Sequence, residues 1–149
     1  MAISPLRLEP YWAPLHYPFI VAWWKARGHD CLDRDLIPAH GVVVTRDKEP
    51  LAASLCYLVA NARVAYIAFT VTSPSLAPRL AVEAVRMAIK GAVDYARRNE
   101  CKLIWSSTDV LGLDPIYEGI GFLRTEPQRH YFMLADNQPS DMLGGEKKD

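Results

Sequence analysis

Three apolar runs, GVVVTR, LAASLCYLVA and VAYIAFTVT, follow one another from Gly41 to Thr72 with only DKEP and NAR between them. Connections that short cannot carry a crossover, so each run must fold back on the one before it as an antiparallel meander. The longest periodic segment comes next, APRLAVEAVRMAIKGAVDYARRNE. In it Leu80, Ala84, Met87, Ala88 and Tyr95 share a face, while Glu83, Arg86, Lys90, Asp94 and Arg97 point elsewhere. This spacing predicts a helix of about five turns, weakened only at Gly91. KLIWSST then reads as a short buried strand. A strand, a long helix and another strand most simply make a right-handed crossover, which sets VAYIAFTVT and KLIWSST side by side and parallel. The expected fold is therefore α/β, an α+β mixed sheet that is mostly antiparallel with one parallel strand pair and flanking helices. Ligands favour the carboxyl ends of such strands, in the crevice by the helix N-terminus.

The remaining segments attach to this unit. In HYPFIVAWWKARGHD, Phe19, Ile20, Trp23 and Trp24 recur at helical spacing, Pro18 suits a first turn, and Gly28 follows the basic pair Lys25 and Arg27 as a stop. That predicts a helix from about Tyr17 to Arg27. Only one of two adjacent tryptophans can face the same interior, so the other either lines a substrate surface or packs under the linker that follows. DPIYEGIGFLR reads as short helix, turn and strand, with Pro115 in the first turn, Gly119 and Gly121 at the exit, and Phe122-Leu123 opening the strand. A last strand is expected around RHYFMLA, and the polar tail DNQPSDMLGGEKKD, residues 136–149, is expected to be disordered. A chain of 149 residues has room for one ordinary core, so residues 1–135 are expected to form a single domain.

Composition narrows the functional classes. Seventeen basic and seventeen acidic side chains cancel, so net charge carries no footprint for nucleic acid or an anionic membrane. Cys31, Cys56 and Cys101 are odd in number and widely spaced, which fits reduced thiols in the cytoplasm better than a disulfide framework or a zinc site. No run of about twenty apolar residues could span a membrane, and MAISPLRLEPYW lacks the order of a signal peptide. The four histidines have no metal-ligand spacing and the serines no nucleophile-elbow context, which weakens metal and hydrolase readings.

Element order, the TSP shortly before the long helix, and above all Tyr117-Glu118-Gly119-Ile120-Gly121-Phe122 resemble the GNAT superfamily, N-acetyltransferases that use acetyl-CoA. The resemblance covers roughly residues 17–134. It implies a GNAT-like acyl-CoA N-acyltransferase fold whose parallel strands splay apart at a bulge. The backbone of the segment Phe69, Val71 and Ser73 would pair with pantetheine, and the pyrophosphate would sit at the N-terminus of the long helix, on Arg79 and the backbone of Leu80, Ala81 and Val82. Tyr117 would protonate the departing thiolate. For a general base, Asp109 at the end of KLIWSSTD is the first carboxylate in reach, with His40 as second choice; Glu83 is expected to face solvent.

The phosphate loop departs from the family pattern of Gln or Arg, two residues, Gly, one residue, then Gly or Ala. On SLAPRL that pattern places Ser75, Pro78 and Leu80, so both glycines are absent and Pro78 lacks even an N–H. Two functions stand side by side: an acetyl-CoA-dependent N-acetyltransferase acting on an amine, small molecule or protein, and a GNAT-fold protein without catalysis that serves as a binding or structural subunit. The WW helix with its LIPAHG linker is similar to phage-encoded members, which implies host cytoplasm or virion as the location. The expected partners are CoA and an amine acceptor, with no metal; the oligomeric state stays open, a homodimer included.

Overall fold

The computed structural model describes residues 3–108 and 110–125. Five strands, β1 (Arg7–Pro10), β2 (Gly41–Arg46), β3 (Glu49–Leu58), β4 (Val64–Thr72) and β5 (Leu103–Ser106), lie in that order across one sheet. The helices are α1 (Ala13–Ala26), α2 (Pro78–Arg98) and α3 (Asp114–Ile120). β1 to β4 pair antiparallel, and β4 pairs β5 in parallel through Val64↔Leu103, Ala65↔Ile104, Tyr66↔Trp105 and Ile67↔Ser106. The expected meander and crossover are both present.

Side chains alternate across the sheet, as the pleat requires. Val42, Cys56, Ala65 and Ile67 pack on one face against Val85, Ile89, Ala92 and Val93 of α2. Val43, Ala53, Leu55 and Val71 point to the other, against Ile20 and Trp23 of α1, with Tyr11 and Ile37. α1 rises from the amino end of β2, where the Tyr11 N–H donates to Gly41 O at 2.9 Å, and ends beside the carboxyl end of β4. α2 starts at that same end of the sheet on the opposite face and runs back.

The buried stripe of α2 is wider than the one read from spacing, because small residues let the helix lie close. Ala84, Val85, Ala88, Ile89, Gly91, Ala92, Val93 and Ala96 are all buried. Gly91 is part of that fit: a Cβ there would stand 3.0 Å from Leu8 Cδ1 and 3.1 Å from Val42 Cγ2. β1 went unread, since PLRLEP offers two prolines and mostly exposed side chains, the mark of a short edge strand.

α1 begins at Ala13, one turn before the expected Tyr17, with Pro14 in the first turn and Pro18 inside the helix. His16 secures the early start. Its Nδ1 accepts the Trp12 N–H at 2.9 Å while the Trp12 carbonyl accepts the His16 N–H at 2.9 Å, a reciprocal cap. Of the tryptophan pair, Trp23 is buried and Trp24 packs on the same cluster, its ring edge to face with His29 of the linker at 5.9 Å. Phe122 to Thr125 pair with no strand among the described residues, and the Phe122 N–H is used in ending α3. The expected strand at RHYFMLA, the tail and the domain's end at residue 135 lie outside the described residues.

His16 gives a pH test of this core. Burial lowers its pKa below the usual 6.5, against a smaller opposing pull from Glu9, so the folded chain holds it neutral. A lowered folded-state pKa means stability that is full above the unfolded value and lost as pH falls below it. His16→Asn keeps an acceptor for the Trp12 N–H and cannot titrate. Melting temperature between pH 7 and pH 5 should fall less in the variant than in the parent; superimposable profiles would remove His16 as the cause.

Candidate active site

The site forms where β5 parts from β4. Their pairing ends at Ile67↔Ser106, while β4 continues to Thr72. Between Leu55↔Ala68 and Ala53↔Val71, Ser54 alone opposes Phe69 and Thr70, a β-bulge in β4 with Phe69 at φ 56°. Beyond the bulge the Ser73 N–H donates to Leu51 O at 2.8 Å. The alternation of an antiparallel ladder therefore aims Val71 and Ser73 at β3, and Thr70 and Thr72 at the edge β5 has left. The free edge lies in the expected segment, shifted by one residue from Phe69, Val71 and Ser73. The Phe69 and Val71 side chains join the cluster on the α1 face.

Tyr117 reaches this parting point from α3. Ser106 Oγ donates to Ile67 O at 2.8 Å and lies 3.0 Å from the Tyr117 hydroxyl. A serine has one proton to give, so with it committed to Ile67 the Tyr117 O–H donates to Ser106. Thr70 Oγ1 is 2.9 Å from the buried Ser54 Oγ. Burial raises the Tyr117 pKa above the usual 10, partly offset by the hydroxyls of Ser106 and Thr70, so the phenol stays protonated at neutral pH.

The chain sequence around Tyr117 fixes its ring. Gly121, at φ 121°, donates to Glu118 O at 3.1 Å, and the Phe122 N–H donates to Tyr117 O at 3.0 Å. This pair of bonds is the Schellman ending, which brings the residue after the glycine onto the third residue from the helix end. Those residues are Phe122 and Tyr117, packed edge to face at 5.2 Å between ring centroids. Gly119 is inside α3 rather than at its exit.

At the start of α2 the Ala81 N–H already donates to Ala77 O at 2.9 Å. With Pro78 lacking an N–H, the helical donors left for a ligand are Arg79 and Leu80; Ala81 and, by helical geometry, Val82 are engaged. Arg79 is exposed, as are Val82 and Glu83. Ser73 and Ser75 hydroxyls bond each other at 3.0 Å in the intervening loop. A cation that the sequence offered only as the basic end of α1 also arrives here: Arg27 Nη2 donates to Thr72 Oγ1 at 2.8 Å and Nη1 to Trp23 O at 3.1 Å.

Of the two base candidates, His40 does not join this group. Asp109 lies outside the described residues. His40 stands at the other end of the sheet, its ring 5.8 Å from Tyr95 in a cavity of about 450 Å³ between β1, β2 and the C-terminal half of α2. Burial pushes the Cys56 thiol up to about 11, which keeps it protonated and unreactive.

No protein-family model and no curated protein sequence matches the chain. Solved structures do. An acetyltransferase of Trypanosoma brucei superposes with a TM-score of 0.62 at 15% identity, over 86% of this chain and 99% of that one. A GCN5-related N-acetyltransferase from Ralstonia eutropha gives 0.60 at 12% identity, over 86% and 99%. The aminoglycoside N-acetyltransferase AAC(6')-Iy in complex with CoA gives 0.58 at 15%, over 87% and 95%. The chain has the GNAT acetyltransferase fold. A transcriptional regulator from Bacillus halodurans shares it at a TM-score of 0.60 and 15% identity, so the fold alone leaves the activity to be argued from the site.

Ser106→Ala tests the wiring of Tyr117. When Tyr117 ionises, the Ser106 hydroxyl turns its proton from Ile67 O to the phenolate oxygen, so its removal should move the Tyr117 titration to still higher pH and cost roughly 0.5–1.5 kcal/mol of stability. Ultraviolet titration of the tyrosines, with Tyr117→Phe identifying the signal, reads the shift; an unmoved signal would mean the hydroxyls are not coupled.

Proposed function

We propose that the chain is a GNAT-type N-acyltransferase that moves an acetyl group from acetyl-CoA directly to an amine. The observation that carries this reading is the protonated Tyr117 hydroxyl held by Ser106 at the point where β4 and β5 part. In the reaction the amine nitrogen attacks the thioester carbonyl, the C–S bond breaks, and the sulfur leaves as a thiolate. Tyr117 gives that thiolate its proton, and the proton shed by the acylated amine returns the phenolate to phenol; the products are an amide and CoA thiol. Thr70 and Thr72 on the free edge of β4 supply the backbone donors for pantetheine and, near the bulge, for the developing oxyanion.

A second reading, a GNAT-fold protein that does not turn over substrate, is favoured by Pro78 at the start of α2, where it removes an N–H and stands in place of a loop glycine. Calorimetric titration with acetyl-CoA separates the two. Binding heat and a raised melting temperature are expected, and no response at millimolar ligand would sink the enzyme reading. With binding in hand, Tyr117→Phe should leave CoA affinity intact and lower the transfer rate by roughly 10² to 10⁴. A fully active variant would make Tyr117 a packing residue only.

A further inference from the structure

We propose that Arg27, at the end of α1, is a binding residue for the diphosphate of the acyl carrier and replaces contacts that the glycine-less loop before α2 does not make. The inference rests on the CoA-dependent reading above and adds to it a residue from the opposite face of the sheet.

The placement follows from register. Thr72 pairs with Ala52, and residues directly opposite on neighbouring strands share a face. Ala52 packs on Ala84 and Ala88 of α2, so Thr72 points to the α2 side. Arg27 belongs to α1, on the other side, yet its Nη2 stands 2.8 Å from Thr72 Oγ1. The guanidinium therefore crosses the sheet at the carboxyl end of β4, the end from which the chain enters α2. Thr72 is three residues past the bulge at Phe69, about 10 Å along the strand. That separation suits a pantetheine arm whose thioester lies at the bulge and whose diphosphate lies beyond the strand end.

The charge is available. Among the described residues Arg27 has no acidic partner; its two bonds go to the neutral oxygens of Trp23 and Thr72. A guanidinium carries five N–H donors, so three remain in a fixed fork for phosphate oxygens. The donors that the loop contributes are few, since Pro78 has no N–H and Ala81 is bonded to Ala77. Arg27 is thus fixed at both Nη atoms before any ligand arrives.

The test compares CoA with pantetheine, which lacks every phosphate, on the full chain. Arg27→Gln should weaken CoA binding about tenfold or more and flatten its salt dependence, while pantetheine binds parent and variant alike. Thr72→Val, which removes the anchor and keeps the charge, should weaken CoA less than Arg27→Gln does. Equal CoA affinity in parent and Arg27→Gln would overturn the proposal. So would an equal loss of CoA and pantetheine, which would make Arg27 a tie between α1 and β4. If the parent binds CoA and the variant matches it, this proposal fails alone; if the parent binds neither probe, the acyltransferase reading fails with it.

Discussion

When β5 parts from β4 after Ile67, it leaves a run of peptide groups that a buried sheet would ordinarily pair. The bulge turns the edge out of the ladder at the cost of holding a phenylalanine at φ 56°, a left-handed conformation worth about 1–2 kcal/mol against an L residue. The first group affected is the Ile67 carbonyl, and a side chain satisfies it: Ser106 Oγ closes the ladder where the next peptide would have done so. That hydroxyl has a lone pair to spare, and Tyr117 occupies it. The device that ends the strand pairing is therefore the one that orients the phenol. Ser54 and Thr70 complete the polar set in an otherwise apolar interior, which is why burial raises the Tyr117 pKa without leaving its hydroxyl unpaired.

How much of this could be read in advance depends on the range of the interaction. Strand and helix periods are local, so the meander, α2 and the parallel crossover were legible, and Tyr117 stood out through the glycine spacing that gives α3 its Schellman ending. The start of α1 was not, because Pro14 and Pro18 each suit a first turn and the deciding contact is a histidine side chain bonded to Trp12. β1 was hidden by its prolines and its exposed pattern. The one-residue offset along the free edge of β4 was beyond reach for a different reason: a bulge is set by pairing with β3, and VAYIAFTVT carries no local mark of it.

Residues that are distant in sequence were the hardest. Arg27 looks like any basic residue at a helix end, a role it also fills through its bond to the Trp23 carbonyl. Its second bond spans forty-five positions of sequence and could be found only once α1 was laid across the carboxyl end of β4. His40 failed in the opposite direction: it is near β2 in sequence, but the meander carries it to the far end of the sheet, beside Tyr95.

The loop without glycines then has a physical counterpart. Glycines in a phosphate loop allow the main chain to approach closely, and their donors need no side chain to be ordered. A side-chain cation reaches farther but ordinarily loses up to about 2 kcal/mol of rotamer freedom when it grips a ligand. Arg27 has already lost much of that freedom, because Trp23 and Thr72 hold both ends of its fork. In the proposed site, a pre-ordered guanidinium offsets what Pro78 removes, and it does so from the helix that also packs the sheet's other face. Charge at the strand end and order in α1 are thus coupled: loosening α1 would free Arg27 and weaken a phosphate contact on the opposite side of the sheet.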